Sequence, residues 1–382
     1  MKKKILLFGP FADFGGRELE GSFIASVLSS KYDIDVCSSS SITNRSQLFE
    51  FNKNQKVFSL YNLLCSKYFS IKIFSILSYL KNRFKGVYSN YANNIVAKRY
   101  FNYNQKINNI LEELILQYDL VFICAQFSSN YMSNIISFSK KKNTKIIFRT
   151  TGTIKDVNFN YLKDIELFIH HSLYNASKLQ MNNYDIIDQC SFIEDKLLSL
   201  QYNDNNTNFL LLGRISEGKG FEEAIAFFIK CKKTNDRLIV VGEGELKEKL
   251  EKKYAGFSEI NFYGFIKSDM LGSVFEEVDC LIIPSLEESG PLVGVEAMAA
   301  GKLIISTKVG AMPERLKNTL NDFWFDIHDF SSFEKEFNRF KLLDNVMRNK
   351  ISQSLRNEYK ETRSIAAISK KYLDATYKVL GS

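Results

Sequence analysis

The chain of 382 residues is too long for one ordinary hydrophobic core and about the right length for two domains. Its apolar content of 45% and charged content of 25% are those of a folded protein in water. Its six cysteines are scattered and form no Cys-x-x-Cys pair, which favours reduced thiols over a disulfide framework or a zinc site. Three histidines are too few for a His-rich metal site.

The N-terminus resembles a signal peptide only briefly. Three lysines at 2–4 precede a short apolar run, but Gly9, Pro10 and Asp13 interrupt that run too early. No stretch approaches the roughly 18 apolar residues of a membrane span. We therefore expect a cytoplasmic protein.

The positive charge is concentrated in one segment. The chain carries a net charge of +8, yet ten basic residues and no Asp or Glu lie between Phe51 and Leu111, which leaves a net charge of −2 elsewhere. These basic residues are Lys53, Lys56, Lys67, Lys72, Lys81, Arg83, Lys85, Lys98, Arg99 and Lys106. An acidic partner is therefore expected for segment 51–111.

Within this segment, apolar residues recur at helical spacing between Tyr68 and Lys85. They are Phe69, Ile73, Ile76, Leu77 and Leu80. An apolar face with a cationic rim is typical of a helix lying in a membrane interface, so we predict peripheral contact with an anionic membrane surface. The alternative is a core helix with a solvated basic face. Nucleic acid is the other acidic partner, but no recognition motif accompanies the charges, and we expect none.

The first half repeats a strand–helix pattern. Apolar runs predict strands at 4–8, 34–37, 119–124, 145–148 and 166–172. After the first run, Gly15-Gly16 reads as a glycine turn opening a helix over 18–30. Such a turn can take a phosphate, or it can be a plain tight turn.

The second half restarts the pattern after a polar linker at 201–208. Strands are predicted at 209–212, 237–241, 260–264, 278–283 and 303–306, and one long helix over 364–380. We predict an α/β chain of two doubly wound, Rossmann-like domains, at 1–200 and 207–361. As one arrangement of the C-terminal helix, at about 362–382, we consider packing back on the first domain. Ligands are expected in a central cleft that the two domains face.

The loop after the strand at 209–212 narrowly misses a nucleotide-binding motif. Gly213, Gly218 and Lys219 fit the Walker A pattern, but Gly220 replaces the Ser or Thr that would hold magnesium. A P-loop nucleoside triphosphatase is therefore disfavoured. Arg214 and Lys219 remain available to bind a diphosphate, unless the loop is only a solvated basic turn.

A single carboxylate stands out in the stretch 284–301. Pro291 suits the first position of a helix, Gly290 its cap and Gly301 the position after its end. Glu296 is the only charged residue between those glycines, so an otherwise apolar helix would bury it. A buried carboxylate needs a partner, either a structural Arg, Lys or backbone amide, or a ligand with hydroxyl donors.

These landmarks, taken together, resemble the family 4 retaining glycosyltransferases of GT-B fold. The resemblance rests on Gly213-Arg214…Lys219-Gly220, on Gly242-Glu243-Gly244, and on Glu288-x7-Glu296 followed by Ala-Met-Ala-Ala-Gly. It is strong over 208–316, including Gly310-Ala311-Met312-Pro313-Glu314, and weaker but compatible across the first half.

The resemblance implies a nucleotide-diphosphate sugar as donor and assigns roles to particular residues. Arg214 and Lys219 would bind the diphosphate, and Glu296 the ribose diol. Glu288, the catalytic candidate, would hold the sugar near its anomeric carbon. The amides around Gly290 and Leu292 would cradle phosphate or sugar oxygens, and Gly15 and Gly16 would close on the diphosphate from the first domain.

One departure from the family concerns the first domain. Members often carry a His after its middle strand, where this chain reads Phe148-Arg149-Thr150-Thr151-Gly152-Thr153. Either the backbone with Arg149 or Thr151 replaces that His, or the chain is a weak or inactive member.

The expected function is retaining transfer of a sugar to a hydroxyl of a glycan or lipid-linked glycan, without a bound metal. Bacterial surface polysaccharide or lipopolysaccharide synthesis at the cytoplasmic face of a membrane is the expected setting. The alternative is a catalytically weak or inactive protein that binds nucleotide sugars at the membrane.

Overall fold

The computed structural model of the chain describes residues 2–201 and 207–381. Most of the linker predicted at 201–208 lies outside the described residues. The described chain divides into two compact units. The first unit runs up to His170 and also takes in Ala176–Ile187 and the chain from Ser369 onward, and the second takes in His171–Asn175 and Asp188–Ile368.

Parallel strands form a seven-stranded sheet in the first unit. They are β1 (Lys4–Gly9), β2 (Asp33–Ser38), β3 (Val57–Ser59), β4 (Leu120–Ala125), β5 (Lys145–Thr150), β6 (Leu167–His170) and β7 (Tyr184–Ile186). Their order is β3-β2-β1-β4-β5-β6-β7, and every pairing is parallel. The five strands predicted from apolar runs are confirmed. The edge strands β3 and β7 were not predicted, because three residues are too few to show a pattern.

Helices connect these strands. They are α1 (Gly16–Ser29), α2 (Leu60–Lys67), α3 (Phe69–Lys81), α4 (Ile95–Tyr100), α5 (Tyr103–Ile115), α6 (Met132–Lys142) and α7 (Leu173–Ser177). No single helix in the described ranges is long and apolar enough to cross a membrane, although α2 and α3, bent by 117°, pass that test of length and composition as a pair.

The second unit repeats this architecture with six strands. They are β8 (Asn208–Leu212), β9 (Arg237–Val241), β10 (Ile260–Gly264), β11 (Cys280–Ile283), β12 (Leu303–Ser306) and β13 (Phe323–Trp324). Their order is β10-β9-β8-β11-β12-β13, again with parallel pairing throughout. All residues of β11 and β12 are buried, as expected for strands covered on both faces.

The remaining helices follow in chain order. They are α8 (Glu194–Leu198), α9 (Phe221–Cys231), α10 (Lys247–Tyr254), α11 (Leu271–Glu277), α12 (Leu292–Ala300), α13 (Met312–Leu316), α14 (Phe330–Lys341), α15 (Asn345–Thr362) and α16 (Ile365–Leu380). Leu197 and Leu200 belong to the core of the second unit, so residues 188–200 group with that unit although the sequence pattern placed them before the linker.

Both sheets have the strand order of a doubly wound fold. In the second sheet the chain proceeds outward from β8 in one direction and from β11 in the other, so these two neighbours mark the topological switch point. In such sheets, ligands bind beyond the carboxyl ends of the strands at that point. The loops after Leu212 and Ile283 are therefore where a site is expected.

Candidate functional site

A small cavity lies at the switch point of the second sheet. Its lining includes Gly213, Arg214, Lys219, Ser285, Glu288 and Leu292. The structure therefore brings together both cations of the loop after β8 and the first glutamate of the Glu-x7-Glu pattern. It also adds the residue that begins α12. These residues are far apart in sequence and meet because β8 and β11 are neighbours.

Glycines let three loops pack backbone against backbone beneath this cavity. A side chain at Gly220, which has a φ of 67°, would place its Cβ 2.1 Å from the carbonyl oxygen of Pro284. A Cβ at Gly242 would lie 1.8 Å from the carbonyl oxygen of Gly213. The amide of Leu286 also donates to the carbonyl of Gly218 at 2.9 Å. The position of the loop after β8 is thus set by backbone contacts that larger residues would not permit.

The two cations of this loop have different environments. The Lys219 ammonium pairs with the Glu288 carboxylate, with 27% and 21% of their side chains exposed. Arg214 is exposed, and within the described residues its guanidinium has no hydrogen-bond or ion-pair partner. The loop therefore presents one free cation and one cation held against an acid.

Helix α12 carries Glu296 into the interior of the second unit. The helix begins at Leu292, one residue later than predicted, because Pro291 is extended, with a ψ of 116°. It ends at Ala300, and Gly301, whose φ of 66° is left-handed, follows it as predicted. Leu292 and Glu296 are four residues apart and share a helix face, so Glu296 lies one turn beyond the cavity wall.

Glu296 is buried and has no partner among the residues that the structure describes. The residue is 6% exposed, which confirms the burial predicted from the apolar helix, and burial raises the pKa of its carboxyl to about 7. No hydrogen bond or ion pair to this carboxylate exists among residues 2–201 and 207–381. A structural Arg, Lys or backbone amide was the first possible partner for Glu296, and none of these bonds to it within the described chain. The second possible partner, a ligand with hydroxyl donors, remains.

The loop that bears Glu288 is held from the opposite side by the segment leading into α13. The amide of Ala311 donates to the carbonyl of Ser289 at 3.0 Å, and the Arg315 guanidinium donates to the carbonyl of Pro291. A Cβ at Gly310, whose φ is 51°, would lie 2.6 Å from the Glu288 carbonyl oxygen. The backbone on both sides of Glu288 is thereby fixed.

Arg315 is itself held by a buried acid that the sequence did not reveal. Its Nε and Nη2 donate to the two carboxylate oxygens of Asp188 at 2.8 and 2.6 Å, and Arg363 Nε donates at 2.9 Å. Burial would raise the pKa of Asp188, but the charges of Arg315 and Arg363 outweigh it and keep this pKa well below the usual range. The partners are 127 and 175 residues apart, so no local motif could indicate them.

Gly15 and Gly16 form the predicted glycine turn at the start of α1. Gly15 is the residue before the helix, and a Cβ there would lie 2.5 Å from the Glu18 carboxylate. The Gly15 amide donates to the Gln47 side chain at 2.8 Å, so it already has an acceptor. Gly16 begins the helix with open space around its Cα. Anion binding by this turn stays a prediction.

The first-unit residues proposed to replace the missing His differ in accessibility. Arg149 is fully buried, and its guanidinium donates to Glu20 at 2.8 and 2.6 Å and to the carbonyl of Ile187 at 2.6 Å. Thr151 is also buried, but its hydroxyl has no hydrogen-bond partner in the described part of the chain. Thr151 is thus the one of the two with an uncommitted polar group.

Two further observations bear on the chemistry of the chain. His171 is buried in the second unit and had no role assigned from the sequence. It lies beside Gly290, where an added Cβ would be 3.4 Å from the Cβ of His171.

Among the residues that the structure describes, no group of three or more His, Cys, Asp or Glu is placed to hold a metal ion.

Comparison with known proteins finds a family model that matches most of the second unit. Residues 193–358 match the family model described as Glycosyl transferases group 1. An uncharacterized glycosyltransferase of Methanocaldococcus jannaschii is 30% identical over 130 residues, which are 33% of each chain. The lipopolysaccharide 1,2-N-acetylglucosaminetransferase of Salmonella typhimurium is 32% identical over 124 residues, 29% of this chain and 32% of that one. This chain thus spans about a third of the length of these curated relatives.

The likeness to solved structures extends over both units. The crystal structure of Anabaena HepE in complex with UDP matches with a TM-score of 0.74 at 15% identity, over 98% of this chain and 100% of that one. At this identity the match concerns the fold alone. The chain has the GT-B fold of two Rossmann-like domains, and its residues 193–358 match the family model of the glycosyl transferases group 1.

Proposed function

We propose that the protein is a retaining glycosyltransferase that moves a sugar from a nucleotide-diphosphate donor to a hydroxyl of an acceptor. The observation that carries the proposal is Glu296, a buried carboxylate without a partner in the described chain, one helical turn from a cavity that holds two cations. A nucleotide sugar would provide a partner for each of these groups. Its ribose offers two hydroxyl donors to Glu296, and its diphosphate offers negative charge to the two cations.

In this proposal, the charges at the cavity act on the leaving group. Arg214 and Lys219 bind the diphosphate, and hydrogen bonds to charged groups contribute about 1.5–3 kcal/mol each. As the bond from the anomeric carbon to the phosphate oxygen breaks, negative charge builds on the diphosphate, where these cations stabilise it. They supply the charge that a bound metal would otherwise provide, so we propose that no metal is needed.

The remaining residues orient the donor. Glu296 accepts hydrogen bonds from the ribose hydroxyls, and Glu288 holds the sugar near its reacting carbon. The amides near Gly290 and Leu292, at the start of α12, face phosphate or sugar oxygens. From the first unit we propose two candidates, Gly16, which has open space beside its Cα, and Thr151, whose hydroxyl has no hydrogen-bond partner in the described chain.

For the acceptor we propose a glycan or lipid-linked glycan of a bacterial surface polysaccharide, met at the cytoplasmic face of a membrane. The support is associative. The Salmonella relative is named for lipopolysaccharide synthesis, and segment 51–111 of this chain carries basic residues without acidic ones.

Turnover of a panel of nucleotide sugars, with acceptor extracts from bacterial membranes, tests the proposal. Lys219→Ala and Glu296→Ala should each lower turnover about 10- to 200-fold, since each removes a charged contact worth about 1.5–3 kcal/mol. Lys249→Ala and Glu248→Ala, both on the exposed face of α10, are matched controls that should keep turnover. Unchanged turnover in the first two variants would refute the site.

A non-catalytic protein that binds nucleotide sugars is the second candidate. It is favoured by the absence of His from 148–153 and by Arg149, whose guanidinium is buried and donates to Glu20 and to the Ile187 carbonyl. Binding of a nucleotide sugar without transfer or hydrolysis, with every acceptor extract, would support this candidate over the enzyme.

A further inference from the structure

The apolar residues at helical spacing in α3 face outward. Phe69, Leu77 and Leu80 are 75%, 51% and 46% exposed, and Ile73 and Ile76 are exposed as well. Five large apolar side chains thus form one solvent-facing stripe along a helix of 13 residues. Soluble proteins rarely keep an apolar patch of this kind uncovered, so the stripe indicates an interaction surface.

The inward face of α3 buries only one apolar and one polar side chain. Its fully buried residues are Ile71 and Ser75, and the Ser75 hydroxyl donates to the carbonyl of Ile71 at 2.7 Å. The thiol of Cys65 in α2 lies 3.5 Å from the same hydroxyl. A helix that buries a serine and exposes two leucines is not an ordinary core helix, which argues against the core-helix interpretation of this segment.

The exposed apolar surface continues past the end of α3. Phe84 is 63% exposed and stands in a turn where Arg83 and Phe84 both have left-handed backbones, with φ of 55° and 60°. Such conformations are costly for residues other than glycine and cluster at functional segments. In α4, Ile95 is 81% exposed, and Phe101, the residue that follows α4, contacts the ring of Phe74 in α3 at 5.1 Å.

Uncompensated positive charge surrounds these apolar residues. Lys72, Lys81, Arg83, Lys85, Lys98 and Arg99 lie in or next to α3 and α4, and none has an acidic partner in the described part of the chain. Elsewhere in the segment, Lys56 pairs with Asp35 and Lys67 with Glu113. The free cations are thus concentrated where the apolar side chains are exposed.

This combination selects one kind of partner. A second copy of the chain would bring like charges together, because no Asp or Glu lies between Phe51 and Leu111. An anionic bilayer offers negative headgroups to the cations and an apolar layer to the stripe. We propose that α3, the turn at 82–86 and α4 form a docking face that inserts into the interface of an anionic membrane. This deepens the membrane placement proposed above, but its test needs no sugar transfer.

Flotation of the full-length protein with vesicles tests the docking face. We expect binding to phosphatidylcholine vesicles that also contain phosphatidylglycerol, and at least about ten-fold weaker binding to phosphatidylcholine alone. Removing three rim charges (Lys81→Gln, Arg83→Gln and Lys85→Gln) should lower binding to the anionic vesicles by a similar factor. Lys140→Gln, Lys141→Gln and Lys142→Gln, which remove the same charge at the end of α6, should leave binding unchanged.

A second pair of variants separates insertion from adsorption. Leu77→Gln and Leu80→Gln together keep every charge and alter only exposed side chains, so folding should survive. We expect wild-type binding to persist partly at high salt and this variant to lose that salt-resistant part. Equal binding to both kinds of vesicle, or equal losses in the rim and α6 variants, would overturn the proposal. So would a wild-type dimer that Leu77→Gln and Leu80→Gln dissociate, since the stripe would then bind a second copy. None of these results bears on sugar transfer.

Discussion

Lys219 and Glu288 form an ion pair across the cavity of the second unit. The proposed function gives these two residues separate ligands, the diphosphate for Lys219 and the sugar for Glu288. The contact between them therefore has to be exchanged for contacts to the donor. Because both side chains are partly exposed, the pair itself is worth only about 0–1 kcal/mol, and the exchange is inexpensive.

Replacing Glu288 with Gln should separate nucleotide binding from transfer. The change frees Lys219 from its acid, so affinity for UDP, used as the probe, should stay the same or rise about two- to five-fold, in line with the loss of a pair worth up to about 1 kcal/mol. Sugar transfer should fall at least about 100-fold, because the contact near the reacting carbon is lost. Calorimetric titration with UDP and a turnover assay provide the two readouts.

The neighbouring acid supplies the control. Glu287→Gln removes the same charge from an exposed position one residue away and should change neither quantity. A large loss of UDP affinity in Glu288→Gln would show that this carboxylate assists nucleotide binding, contrary to the assigned role.

Glu296 should make the stability of the protein depend on pH. Its pKa is raised by burial from 4.5 to about 7, so between these values the folded chain keeps a proton that the unfolded chain has lost. Stability should therefore fall as pH rises through this window, by on the order of 3 kcal/mol in total, and level off above it. In Glu296→Gln this component should disappear, which would flatten the pH dependence.

Urea unfolding at several pH values between 5 and 8 measures this difference. Glu248→Gln, an exposed acid on α10, should follow the wild-type curve and thus controls for loss of charge. Parallel curves for wild type and Glu296→Gln would mean that the carboxyl has an ordinary pKa in the folded chain and that burial does not hold a proton on it.

Much of this architecture follows from local sequence. Buried strands read as apolar runs because both faces of each sheet are covered, and helix ends carry glycine where the backbone turns left-handed, as at Gly301. Burial of Glu296 was predictable because its helix neighbours are all apolar. The short edge strands β3, β7 and β13 gave no pattern, since two or three residues cannot show periodicity.

Long-range pairing lay beyond local reasoning. Asp188 and Arg315 look like surface residues in sequence, and only the fold brings them into a buried pair. Arg149 was considered for a donor contact because it lies where the resembled family often has a His, yet Glu20 binds it inside the first unit. For α3, the spacing of apolar residues predicted which of them share a face. Whether that face is buried or exposed depends on how α3 packs against α2, which the spacing does not show.

Breaking the buried pair of Asp188 and Arg315 should be costly. In Asp188→Asn, Arg315 loses its counter-charge in a fully buried position, and stability should fall by about 3–5 kcal/mol. Arg315→Lys should also destabilise, because an ammonium cannot donate to two carboxylate oxygens and the Pro291 carbonyl in the same geometry. Urea unfolding of both variants and of their combination gives the coupling between the sites.

If the pair acts as a unit, the double variant should cost clearly less than the sum of the single ones. Additive losses would indicate that the two residues stabilise the fold independently. Lys378→Ala, which breaks an exposed pair with Asp185, should cost less than about 1 kcal/mol and sets the scale for a surface contact.

Gly310→Ala should shift the loop that bears Glu288 without altering any side chain proposed to bind the ligand. Gly310 has a left-handed backbone, and an added Cβ would lie 2.6 and 2.7 Å from the carbonyl oxygens of Glu288 and Ser289. Both are backbone atoms, so the loop has to shift. We expect a loss of about 1–3 kcal/mol in stability and a fall in turnover larger than the fall in UDP affinity, because Glu288 is assigned to the sugar.

Gly256→Ala, where no atom lies within 4 Å of the added Cβ, is the matched control. If Gly310→Ala instead lowers UDP affinity and turnover equally, the shift reaches the cations at Arg214 and Lys219, and the segment before α13 positions the whole cavity rather than the sugar end alone.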